Sequence, residues 1–182
     1  MTRVLVPLAN GSEEIEAVII IDTLRRAGWD VVSAGIHDGP VTGSRGVAIV
    51  PDAEWEDVDV HAFDLMVLPG GNAGTERLSG DPRVLEAVRT FHEAGKRVAA
   101  VCAGPLVLQA AGVLGGRTVT CHPGVAERIT QARRVDDKVV TDDNITTSQG
   151  PGTSFLFALS LIEIVDGKEK AAAIGRAMVV SY

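Results

Sequence analysis

Along this chain, apolar residues recur in two rhythms that alternate from one end to the other. Short aliphatic runs without a polar face, such as Val4-Leu5-Val6-Pro7-Leu8 and Val98-Ala99-Ala100-Val101, predict buried strands over residues 3–8, 30–34, 65–68, 97–101, 118–120 and 145–148. Between them, apolar positions spaced about 3.6 residues apart predict helices over 13–27, 82–94, 105–111, 153–165 and 168–178. The first helix opens with acids and ends in Arg25-Arg26-Ala27-Gly28, which suits the helix dipole and a glycine stop. Such alternation is the pattern of an α/β sandwich built on a mainly parallel sheet. Residues 40–51 break it. Their short extended pieces around Gly43-Ser44-Arg45-Gly46 predict a hairpin at an edge of the fold. No repeat, low-complexity tract or linker interrupts the chain, so one domain over 1–182 is expected.

Composition narrows the function classes. A hydrophobic content of 46% supplies a sizeable core, while a net charge of −7 and the absence of Lys/Arg clusters argue against a nucleic-acid binder. The two cysteines, Cys102 and Cys121, are too few for a disulfide framework. A functional thiol needs a reducing compartment, which makes the cytoplasm the expected location. The apolar part of the N-terminus is too short for a signal peptide, and no run is long enough to cross a membrane.

One junction concentrates chemistry. The strand ending at Val101 runs into Cys102, and Gly104-Pro105 then turns the chain into a helix. This is a nucleophile elbow with Cys in place of Ser. The nearby helix N-terminus and free backbone N–H groups favour a thiolate and can hold an oxyanion. A buried space-filling cysteine is the plainer reading of the same residue. In open α/β sheets the functional crevice lies beyond the carboxyl ends of the strands. That edge gathers the segment from Asn10 to Glu16, then Pro69-Gly70-Gly71-Asn72, Cys102-Ala103 and Cys121-His122-Pro123. Glu13 and Glu14 read as solvated cap acids. A solvated cap is the plainer reading of Glu16 too, but its place against the apolar run Ala17 to Ile21 also allows it to face the crevice, where burial raises a carboxyl pKa. His122 sits on a loop at the same edge. The run Gly70-Gly71-Asn72-Ala73-Gly74 is a weak nucleotide signal and reads better as close backbone approach beside the elbow. Cys121 is either a resolving thiol or, more simply, a small buried residue. The histidines offer no metal-ligand spacing, so neither a metal nor any other cofactor is expected.

Laid in order, Glu16, Gly70-Gly71-Asn72, Val101-Cys102-Ala103-Gly104-Pro105, His122-Pro123 and Ser148-Gln149-Gly150-Pro151-Gly152-Thr153 resemble the DJ-1/ThiJ/PfpI family over nearly the whole chain. The segment Gly11-Ser12-Glu13-Glu14-Ile15-Glu16-Ala17-Val18 adds to the match. In the protease-like branch a His follows the nucleophile. Ala103 stands there instead, which disfavours a cysteine peptidase or amidase and places the chain nearer the DJ-1 branch. The resemblance implies a flavodoxin-like three-layer sandwich and a homodimer. It implies Cys102 as the reactive thiol, Glu16 as its carboxyl partner and His122 as the neighbouring imidazole. Gly71 and Ala103 would supply backbone amides with Gly70 and Asn72 beside them, and Arg26 and Arg45 would line an anion-binding spot near the dimer interface. The implied activity is cofactor-independent turnover of 2-oxoaldehydes such as methylglyoxal, or of their early adducts with proteins and nucleotides. The competing role is an oxidative-stress sensor or redox-regulated chaperone acting through oxidation of Cys102. In either role Cys102 and Glu16 would titrate as a coupled pair, with the thiol acidic and the carboxyl basic.

Overall fold

The aliphatic runs do form the centre of the molecule. A computed structural model describes residues 1–180 of the chain. Its strands are β1 (Arg3–Leu8), β2 (Asp30–Gly35), β3 (Val41–Thr42), β4 (Ala48–Ile49), β5 (Ala53–Glu54), β6 (Leu65–Leu68), β7 (Arg97–Val101), β8 (Thr118–Val119), β9 (Arg133–Arg134), β10 (Val139–Asp142) and β11 (Ile145–Ser148). The helices are α1 (Glu14–Arg26), α2 (Asn72–Gly80), α3 (Pro82–Glu93), α4 (Pro105–Ala110), α5 (Ser154–Asp166) and α6 (Lys168–Ala177). Seven strands make one sheet in the order β10-β11-β7-β6-β1-β2-β5, parallel except for the β10–β11 hairpin.

Strand alternation divides the core in two. Val4, Val6 and Leu8, with Leu65, Val67, Ala99 and Val101, face a cluster built from Ala17, Ile20 and Leu24 of α1 and Phe157 to Ile162 of α5. Leu5, Met66, Leu68, Val98 and Ala100 face the opposite cluster, which takes Leu78 from α2, Val84, Val88 and Phe91 from α3, and Leu106 to Leu108 from α4. Helices therefore cover both faces of the sheet, in the three-layer arrangement expected. Both apolar faces of each central strand are dry, which explains why those strands read as continuous aliphatic runs.

Some expectations need correction. Residues 118–120 do not extend the main sheet. β8 pairs with β9 in a separate two-stranded piece, and Thr120 then reaches the main sheet by donating its N–H to Thr147 Oγ1 (2.9 Å). β10 has no counterpart in the predicted elements, although its β-branched Val139-Val140-Thr141 turns back at Asp143, whose φ of 56° marks a tight reversal. The hairpin expected within 40–51 is present as β3 and β4, which pair with each other and not with the main sheet. The glycine-rich run after β6 is a turn for only two residues. From Asn72 onward it is helix α2.

Candidate functional site

The elbow forms because three backbone constraints meet at the end of β7. Cys102 adopts φ 63°, a left-handed conformation that costs a non-glycine residue about 1–3 kcal/mol and is found where surrounding structure overrules it. Its N–H donates to Ser148 O (3.0 Å) of β11, and its carbonyl accepts from His122 N (2.9 Å). Gly104 closes the turn. A Cβ there would stand 2.8 Å from both Leu68 O and Val101 O, so only glycine lets the chain pass so close to β6. The reversal aims the side chain out of the sheet, beside the first turn of α1.

Glu16 meets it there. The Glu16 side chain is completely buried, with Oε2 accepting from Gly70 N at 2.6 Å. Its Oε1 has no hydrogen-bond partner, and the Cys102 thiol lies against the carboxyl as a whole. Burial pushes the Glu16 carboxyl up to about 7, against the opposing pull of the Cys102 thiol and the Gly70 N–H. Burial, then the charge and hydrogen bonding of Glu16, push the Cys102 thiol up to about 12, although the N–H groups of Gly71 and Ala103 are directed at its sulfur and work the other way. This corrects the expected acidic thiol. Two acids that share a hydrogen bond resist a second negative charge, so around neutrality the pair passes from two protons to one, and the thiol keeps the one that remains.

The glycines have separate tasks. Gly70, expected beside the amide donors, gives its own N–H to Glu16. A Cβ on Gly70 would lie 2.6 Å from Cys102 Cβ and 2.7 Å from Glu16 Oε2, so its lack of a side chain makes room for the pair. Gly71, at φ 88°, turns the chain into α2 and sends its N–H toward the sulfur. Asn72 is the first residue of α2 and lines the opening.

Cys102 lies in a cavity of about 610 Å³ that Asn72, His122, Arg45 and Arg77 also line. His122 Nδ1 accepts from Gly124 N (3.0 Å), which leaves Nε2 to carry the proton of the neutral ring. Arg26 does not reach the cavity. It lies ten residues beyond Glu16 on α1, about 15 Å along the helix axis, and its guanidinium pairs with Asp22 (2.7 Å). Within one chain Arg26 and Arg45 therefore do not form a joint site. Cys121 is fully buried in the cluster beneath α2 to α4, whereas Cys102 packs against the cluster beneath α1 and α5, and both are free thiols.

Sequence reasoning missed three contributors. Glu13 and Glu14 are buried, not solvated: Ser44 Oγ donates to Glu13 Oε2 (2.5 Å), while Glu14 accepts from Arg45 N (2.8 Å), Ser44 Oγ (3.0 Å) and Val47 N (3.3 Å). The available signal was the glycine-serine turn of the hairpin, whose free N–H groups need acceptors. Arg77 on α2 was also missed, because α2 itself was. Among the described residues, no cluster of three or more His, Cys, Asp or Glu side chains could hold a metal ion.

Comparison with known proteins places this geometry among relatives. The DJ-1/PfpI family profile matches residues 2–164. The chain is 41% identical over 181 residues to Drosophila melanogaster Protein dj-1beta, covering 98% of this chain and 97% of that one. It is 41% identical over 161 residues to the Caenorhabditis elegans protein named Glutathione-independent glyoxalase DJR-1.2, covering 87% and 86%. The chain spans less than half the length of Arabidopsis thaliana Protein DJ-1 homolog B, 38% identical over 98% of this chain and 41% of that one. Among solved structures, Drosophila DJ-1beta superposes with a TM-score of 0.96 at 40% identity, covering 100% and 99% of the two chains. Oxidized Toxoplasma gondii DJ-1 gives 0.96 at 39%, covering 100% of each.

Proposed function

Because the chain belongs to the DJ-1/PfpI family, we propose that it is a cysteine-dependent, cofactor-independent enzyme that converts 2-oxoaldehydes such as methylglyoxal to hydroxy acids. One observation carries the reading. A buried carboxyl with a proton affinity near neutrality is hydrogen-bonded to a thiol whose sulfur faces two backbone N–H groups. A carboxyl so tuned is an efficient acid and base at neutral pH. The relative named as a glutathione-independent glyoxalase supports the same chemistry.

The steps follow from the groups present. Cys102 Sγ bonds to the aldehyde carbon as the proton of its hydrogen bond with Glu16 passes to the aldehyde oxygen, giving a hemithioacetal. The N–H groups of Gly71 and Ala103 steady the oxygen as it gains charge. Glu16, now a carboxylate, takes the remaining proton from that carbon, and electrons shift to form an enediol. Return of a proton to the neighbouring carbon gives a Cys102 thioester of the hydroxy acid. Water cleaves the thioester, so aldehyde plus water become hydroxy acid and the thiol is restored. His122, with Nε2–H as a donor, serves the leaving or entering oxygen. Early adducts of the same aldehydes with proteins or nucleotides present the same carbon skeleton, and their removal belongs to this reading.

A second reading rests on the same carboxyl. Held protonated, Glu16 is a donor for an oxidised sulfur, and stepwise attack of the thiolate on two hydrogen peroxide molecules gives a sulfinate and two waters. The solved oxidized relative favours keeping it. In this role the protein is a redox sensor or chaperone.

We also propose a homodimer located in the cytoplasm. Ile15 and Val18 of α1 and Val47 and Val50 in or next to the hairpin are exposed apolar side chains that a second copy would cover. No helix among the described residues is long and apolar enough to cross a membrane.

The decisive assay is conversion of methylglyoxal to lactate without glutathione by the wild-type protein and Cys102→Ala, each with and without chelator. Chelator-insensitive turnover that falls to background in Cys102→Ala is expected. Turnover surviving in that variant would sink the enzyme reading. No turnover by a reduced, folded wild type, together with selective peroxide oxidation at Cys102, would favour the sensor.

A further inference from the structure

The cavity is far larger than methylglyoxal needs. At about 610 Å³ it falls within the range that encloses a drug-sized ligand. A three-carbon aldehyde bound to Cys102 would leave most of it filled with water. Two cations and one acid line the remainder: Arg45 and Arg77 both face the space, neither in an ion pair among the described residues, against the single carboxyl of Glu13. That acid is held by Ser44.

Arg77 is the better placed of the two. It stands six residues past Gly71, about 9 Å along the α2 axis, but its side chain folds back toward the helix N-terminus, as long helical side chains do. The fold-back is fixed by Nη1, which donates to Asn10 O (2.8 Å) and to Ala73 O (3.1 Å), one turn earlier. Both bonds use the same nitrogen. Nε and Nη2 keep their N–H groups for another acceptor, and the two backbone carbonyls hold the plane of the guanidinium while leaving its positive charge uncompensated. A guanidinium held on one nitrogen with its other edge open is prepared for a carboxylate or phosphate. The same helix is preceded by Gly71, its N-terminal cap, whose N–H faces Cys102. One short element thus carries an oxyanion donor at one end and a cation one turn further along the cavity.

We infer that the cavity selects acidic 2-oxoaldehydes, with the reactive carbonyl at Cys102 and a carboxylate or phosphate several atoms away on Arg77. This rests on the aldehyde reading above for the chemistry, but not for the anion site. Arg45, whose guanidinium makes one long hydrogen bond from Nη1 to Ser44 O (3.4 Å), adds a second positive charge to the rim.

Two readouts separate the claims. The first compares kcat/KM for 4,5-dioxopentanoate with that for its neutral methyl ester, and for 3-phosphooxy-2-oxopropanal, in wild type, Arg77→Gln and Arg77→Lys. The wild type should prefer an acid over the ester by about fivefold, the upper end for a solvent-accessible ion pair. That preference should reside in KM, vanish in Arg77→Gln and return in part in Arg77→Lys. Whether the carboxylate or the phosphate compound gains more identifies the anion. The second readout needs no turnover: the rate at which N-(2-carboxyethyl)maleimide alkylates Cys102, relative to its methyl ester, should show the same dependence on residue 77. Equal rates for acid and ester in the wild type, or a preference untouched by Arg77→Gln, would overturn the inference. If no aldehyde is converted while the maleimide preference follows residue 77, the anion site stands and the aldehyde reading falls.

Discussion

At the scale of single residues, the site turns on where one proton resides. The folded protein raises the Glu16 carboxyl from 4.5 to about 7. An acid whose pKa rises on folding binds more protons folded than unfolded between those two values. Its stabilising contribution is therefore complete below 4.5 and is lost as pH climbs through 7. At about 1.4 kcal/mol per unit, the loss is roughly 3 kcal/mol. Glu16→Gln keeps an acceptor for Gly70 and a donor for Cys102 but cannot titrate. Urea denaturation at pH 5 and pH 8 should show wild-type stability falling by that order relative to Glu16→Gln. Parallel pH profiles would mean that Glu16 does not change its proton on folding. The same variant should lose methylglyoxal turnover by 10²-fold or more, as a missing general base does, yet still accumulate Cys102 sulfinate under mild peroxide, because donation to sulfur survives. Mass spectrometry reads that difference.

At the scale of elements, the site depends on a side chain that never touches it. Glu14 ties the start of α1 to the β3–β4 hairpin through Arg45, Ser44 and Val47. Burial raises its pKa, but bonds from its own N–H and from Val47, Arg45 and Ser44 outweigh burial and bring it below 4.5. A lowered carboxyl pKa adds stability above 4.5 that is lost as pH falls through the folded value, the opposite sense to Glu16. Gly43 belongs to this joint, since a Cβ there would sit 2.6 Å from the Glu14 carboxyl. Glu14→Ala should cost about 1–3 kcal/mol, as removal of a buried acceptor does. Amide exchange at Arg45 and Val47 should accelerate while that of the β6 and β7 strands does not. Unchanged protection in the hairpin would show that its own pairing holds it.

At the scale of the whole molecule, the sheet presents its carboxyl edge, its hairpin and the first turns of α1 on one side, with exposed Val18 (51%) and Val50 (76%) among them. If a second copy covers these side chains, Val18→Glu should shift light scattering behind size exclusion from dimer toward monomer without loss of secondary structure. A wild-type monomer at micromolar concentration would remove the proposed homodimer.

The sequence by itself determined the layered α/β frame, because buried parallel strands and amphipathic helices write their burial directly into apolar spacing. It also marked the elbow, since a strand that stops at Cys102 and a helix that begins at Pro105 leave the chain one way to turn. The apolar spacing around Glu16 left open whether it faces inward or caps the helix in water, and it was the resemblance of the motifs that set it beside Cys102. Only the tertiary structure decided the rest. Burial of Glu13 and Glu14, the commitment of the Gly70 N–H to Glu16, the high proton affinity of Cys102, the distance of Arg26 from the cavity and the placement of Arg77 on α2 all come from partners far away in the chain. Local spacing reports which side of an element is dry. It does not report which donor, acceptor or charge another element brings to that side, and those pairings set the chemistry of this site.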